Sequence, residues 1–111
     1  MLRFKAGVRM NAFYQEAAPV LRHVCDWSRA RSIDVRMTSA ADTAAGRVRT
    51  SLHPDDLAWD FSVSAPDRET VLSDLANYLR RRLGDPYQVI AHGKTASDPP
   101  DHVHVEADYH Q

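Results

Sequence analysis

The sequence predicts one α+β domain: a small antiparallel sheet of about four strands with two helices on one of its faces. Three observations carry the prediction. Two segments repeat apolar residues at helical spacing, and four short segments alternate apolar and polar residues or run apolar between turn formers. The length of 111 residues accommodates one hydrophobic core and leaves no room for a second.

Residues 1–13 are short-patterned and mixed, and read as an extended N-terminal arm. From Gln15 to Arg31, Ala17, Val20, Leu21, Val24 and Trp27 form a one-faced helical stripe. Pro19 then belongs in the first turn, where its missing N–H is harmless. Ile33, Val35 and Met37 alternate with Asp34, Arg36 and Thr38, predicting a strand over 33–38. Residues 40–51 are small and polar and read as a loop. In the second strand, 57–63, Leu57, Trp59, Phe61 and Val63 share one face and Ala58, Asp60 and Ser62 the other. A second helix opens at Ser64 or Pro66, buries Val71, Leu72, Leu75, Tyr78, Leu79 and Leu83, and ends at Gly84. Tyr87–Ala91 gives a third strand. A turn-rich loop from Gly93 to Pro100 leads to a fourth at His102–Asp108.

The composition excludes several classes. With 14 basic and 15 acidic side chains the formal charge is −1, without the gathered basic excess of a nucleic-acid binder. Arg80, Arg81 and Arg82 fall at the end of the second helix, where cations complement the helix dipole. A single cysteine, Cys25, permits neither an intrachain disulfide nor a cysteine-based zinc cluster, and its apolar context reads as a buried small hydrophobe. No apolar run approaches the ~20 residues of a membrane span. Met1-Leu2-Arg3-Phe4-Lys5 lacks the apolar centre of a signal peptide, so the expectation is a cytoplasmic protein on synthesis, with no membrane or nucleic-acid partner.

Two places carry candidate chemistry. Asp60 is a carboxylate between Trp59 and Phe61, costly in such a strand unless it is paired or bound to metal. His53, seven residues earlier, ends the loop that enters this strand. In the last strand His102, His104 and Glu106 share one face while Val103 and Val105 face the core. That face is either a site or the outward side of an edge strand. Together His53, Asp60 and His104 supply two imidazoles and a carboxylate, the kind of set that holds catalytic zinc with one position left for water. Asp101, three residues before His104, is the first choice of base, with Glu106 or His102 the alternative if the strand begins regularly. His23, His92 and His110 read as surface or hydrogen-bonded histidines, and Trp27 and Trp59 as core.

Ser51-Leu52-His53-Pro54-Asp55-Asp56-Leu57-Ala58-Trp59-Asp60 resembles the Ser-x-His-x-x-Gly-x-Ala-x-Asp motif of the zinc D-Ala-D-Ala carboxypeptidases and peptidoglycan endopeptidases, the fold group that includes the hedgehog signalling domain. Asp101-x-x-His104 is similar to the acid-x-x-His motif of that family, and Asp-His-Val-His-Val-Glu to its small phage-encoded members. The resemblance covers most of the chain from about Gln15. It implies zinc as cofactor, His53, Asp60 and His104 as its ligands, Asp101 as general base, and Ser51 as a second-sphere or substrate-side group. It also implies peptidoglycan stem peptides as substrate, with delivery in a virion or by release to the cell wall. Two departures stand out: Asp56 occupies the position of the motif glycine, and Asp42 lies where many relatives place an oxyanion-stabilising arginine, leaving Arg47 and Arg49 as nearby substitutes. They keep open a second reading, a phage virion protein with this fold, in contact with other virion proteins and without turnover. A metal-free binding module is a third.

Overall fold

The computed structural model describes residues 1–5, 17–40, 57–93 and 98–107. Two helices pack on a five-stranded mixed sheet of order β1-β2-β3-β5-β4. The elements are β1 (Leu2–Phe4), α1 (Ala17–Arg31), β2 (Val35–Ala40), β3 (Leu57–Val63), α2 (Arg68–Leu83), β4 (Tyr87–His92) and β5 (His102–Ala107). The α+β class is as the sequence predicts.

The fifth strand comes from the expected arm, whose first residues are not free. Leu2, Arg3 and Phe4 pair in parallel with Val35, Arg36 and Met37, and Lys5 N–H donates to the Met37 carbonyl at 2.9 Å. A parallel pair needs a crossover connection, and α1 supplies it. The other crossover, β3-α2-β4, leaves a gap in the sheet that β5 fills, antiparallel to both neighbours. The last strand is therefore internal, which removes the edge-strand reading of its polar face.

One face of the sheet and both helices form the core. Val35, Met37, Trp59, Phe61, Val63, Val89, Val103, Val105 and Ala107 meet Ala17, Val20, Val24 and Trp27 of α1 and Leu72, Leu75, Ala76 and Leu79 of α2. Trp27 is fully buried, and its indole N–H donates to Asp74 on α2 at 3.0 Å. The same carboxylate takes Arg31 at 2.6 Å, so one acid ties the two helices together. Both tryptophans are core residues, as expected.

The remaining differences are small and have physical causes. Asp67, rather than Ser64 or Pro66, precedes the first turn of α2, and its carbonyl accepts from Val71 N–H at 3.1 Å. Gly84 ends the helix with φ of 62°, a conformation open to glycine. Cys25 is half-buried rather than buried, and His23 buries its Nδ1 without a hydrogen-bond partner among the described residues. Strand β2 runs two residues past its expected end, and the register slips by one residue between Met37 and Ser39. The expected 40–51 loop beyond Ala40, the rest of the arm, Gln15, Asp108 and His110 lie outside the described residues.

Phe61 is fully buried at the centre of this core. Phe61→Ala is expected to cost about 3–5 kcal/mol of unfolding free energy in urea titrations. Arg81→Ala, on the exposed side of α2, stays within about 0.5 kcal/mol.

Candidate metal-binding face

The sheet face away from the helices carries the ionisable residues. Period-two alternation sends Trp59, Phe61, Val103 and Val105 to the core, so Asp60, His102, His104 and Glu106 project from the opposite side. The β3–β5 register sets Asp60 directly opposite His104, and the β4–β5 register sets His92 opposite His102. Residues 44 apart in sequence thus become cross-strand partners, with His104 Nδ1 2.7 Å from Asp60 Oδ1. On the other edge of the imidazole, Nε2 lies 3.2 Å from Glu106 Oε1. The side chains of His104, Asp60 and Glu106 keep only 14%, 17% and 16% of their surface exposed.

Burial alone would lower the pKa of His104, but the hydrogen bonds and negative charges of Asp60 and Glu106 outweigh it and hold the pKa above the ordinary histidine value. Two carboxylates around one imidazole leave the unit electron-rich, which suits it to a cation. In a tetrahedral zinc set, bonds of ~2.0–2.1 Å place two donors about 3.3 Å apart. His104 Nδ1 and Asp60 Oδ1 need to part by only about half an ångström to reach that spacing. Asp60 and Glu106 each accept a hydrogen bond from His104 in the metal-free chain; a metal would replace the hydrogen at Nδ1 while Glu106 kept the one at Nε2, the role a carboxylate plays behind a metal-bound histidine. The chemistry of this pair fits zinc. No group of three or more His, Cys, Asp or Glu residues converges on one ion among the described residues. The expected third ligand, His53, lies outside them, as do Ser51, Arg47, Arg49, Asp42 and Asp56.

Asp101 precedes β5 instead of belonging to it. Its N–H donates to the His92 carbonyl at 3.1 Å, and its carbonyl accepts from Ser62 Oγ at 2.9 Å. These two bonds fold the chain across the end of the sheet, and the carboxylate Oδ1 then meets His102 Nδ1 at 2.5 Å. The strand thus begins irregularly at Asp101. Gly93 makes the crossing possible: a Cβ there would sit 2.4 Å from the Pro99 carbonyl oxygen.

Sequence reasoning missed two neighbours. His92, exposed and hydrogen-bonded as expected, is the last residue of β4, and its Nε2 lies 3.1 Å from His102 Nε2. Ile90 stands opposite His104 and is 47% exposed, an apolar surface beside the polar cluster. The Tyr87–His92 alternation could have found both, since Gln88, Ile90 and His92 share a parity.

The raised pKa sets a pH dependence for the metal-free chain. Its stabilising contribution is complete below the unfolded histidine value of about 6.5 and is lost as pH rises through the higher folded value. The groups facing His104 are Asp60 on β3, Glu106 on its own strand and His92 on β4, whose ring centroid is 6.0 Å away. Thermal melts of the metal-free chain are expected to fall in midpoint across that window, with a shallower slope in His104→Gln. Gly93→Ala is expected to lower the melting temperature at every pH by displacing the 98–101 crossing. Comparison of the chain with protein-family models, curated proteins and solved structures returns no match in any of the three.

Proposed function

We propose that the chain is a zinc-dependent peptidase that hydrolyses peptide bonds of bacterial peptidoglycan stem peptides. The observation that supports this reading best is the cross-strand pair: two residues chosen from separate motifs, Asp60 and His104, have donor atoms 2.7 Å apart on a face the helices leave open. His53 would complete the set. Zinc held there supplies a water of lowered pKa and polarises the scissile carbonyl.

The chain's own groups perform the remaining work. Asp60 and His104 hold the ion, and Glu106 fixes the tautomer of His104. Asp101 takes the proton of the attacking water and passes it to the leaving amine. The hydrogen bond it accepts from His102 Nδ1 orients the carboxylate. Ile90, exposed beside His104, offers apolar contact to an alanine methyl of a stem peptide. Low exposure of the triad keeps water from screening these charges. No helix among the described residues is long and apolar enough to cross a membrane.

The test combines metal content with turnover. The purified chain, dialysed into metal-free buffer, is expected to retain about one zinc in elemental analysis, and His104→Ala to lose it. Asp101→Asn should keep the zinc while release of new amino groups from peptidoglycan fragments falls by about 10²–10⁴-fold. Retained zinc with no turnover in the unmodified chain contradicts the peptidase reading and leaves the inactive virion component, which Asp56 in the motif glycine's place favours.

A further inference from the structure

His92 and His102 form a second cluster on the same face, and the peptidase reading uses neither Nε2. The rings stand directly opposite one another on β4 and β5. Their centroids are 4.1 Å apart at an interplanar angle of 66°, so they meet edge-on instead of stacking. Each ring is held from behind at Nδ1. His102 Nδ1 lies 2.5 Å from Asp101 Oδ1, and His92 Nδ1 lies 3.1 Å from the Gly93 carbonyl oxygen. A carboxylate and a carbonyl oxygen only accept, so both Nδ1 atoms carry hydrogen and donate.

In two neutral imidazoles with hydrogen on Nδ1, both Nε2 atoms present lone pairs, and these face each other at 3.1 Å. Facing lone pairs repel unless a cation sits between them. The separation is close to the ~3.3 Å between donors of a tetrahedral zinc set, and imidazole nitrogen is a preferred donor for the late divalent transition metals. Carboxylate and backbone carbonyl behind the two rings are the usual outer partners of metal-bound histidines. His92 is exposed and the His102 side chain is 24% exposed, so water reaches the remaining coordination positions. His104 is not a third ligand in this arrangement, because Asp60 and Glu106 occupy both of its nitrogens.

We propose that His92 Nε2 and His102 Nε2 form a two-histidine site for a divalent late transition metal such as Zn²⁺ or Ni²⁺, separate from the Asp60–His104 pair. Protein supplies two ligands and water the others, so binding is weaker and more readily reversible than at a three-ligand site.

The test uses the full chain with the Asp60–His104 pair disabled. His104→Ala, titrated with Zn²⁺ by calorimetry, is expected to bind one ion per chain. In the His92→Ala, His104→Ala double variant that binding should weaken by at least about tenfold, as expected for loss of a direct ligand when outer-sphere changes alone cost ~10–100-fold. A second readout does not depend on that background: in the unmodified chain with ¹⁵N-labelled histidine, Zn²⁺ should shift the Nε2 resonances of both His92 and His102. The proposal is overturned if His104→Ala takes up no Zn²⁺ up to about 1 mM, if removing His92 leaves its binding unchanged, or if those Nε2 resonances respond to pH and not to metal, which would assign a shared proton. The proposal does not rest on the peptidase reading. A chain without turnover, or one lacking the tightly held zinc, leaves it intact.

Discussion

The register of β3 against β5 fixes which side chains enter the core and which form the polar face. A slip of one residue would reverse every side chain of either strand. Trp59, Phe61, Val103 and Val105 would leave the core, while Asp60 and His104 would enter it unhydrated. The four apolar side chains are essentially fully buried, and restoring such area to water costs roughly 1.5–3 kcal/mol for each. Hydrophobic burial on one face therefore sets the spacing of ionisable groups on the other. The candidate site needs no separate device to bring carboxylate and imidazole together.

Polar interactions then refine what the register establishes. Glu106 and Asp60 grip the two nitrogens of His104, and Asp101 and Gly93 grip Nδ1 of His102 and His92. Each imidazole thus has a defined hydrogen position before any ligand arrives. The slip in β2 between Met37 and Ser39 falls beside this cluster, where Ser39 pairs with Asp60 and Thr38 Oγ1 reaches the Asp60 carbonyl at 3.4 Å. Such irregularities commonly re-aim side chains next to functional sites. The face joins rigid sheet positions to the 98–101 crossing, which Ser62 and the His92 carbonyl hold in place.

Much of this was legible in the sequence because the signals are local. Strict alternation in 57–63 and 102–107 identified both strands and the facing of Asp60, His102, His104 and Glu106, and the Leu72–Leu79 stripe with Gly84 marked α2. Non-local facts were not legible. Three residues of β1 hold no periodicity worth reading, and they become a strand only by pairing with β2. Placement of β5 between β3 and β4 decides that Asp60 meets His104 and that His92 meets His102, and no spacing along the chain encodes that order. A surface, hydrogen-bonded histidine was legible at position 92, but its ladder partner ten residues on was not, for the same reason.

The proposed zinc site rests on Asp60 and His104 acting as two ligands of one ion. Anomalous diffraction at the zinc edge from zinc-loaded crystals tests it most directly. A peak is expected about 2.0–2.2 Å from both His104 Nδ1 and Asp60 Oδ1, with Glu106 still at His104 Nε2. Absence of density there, with His104 still hydrogen-bonded to Asp60, would contradict it and reduce the pair to a buried structural contact.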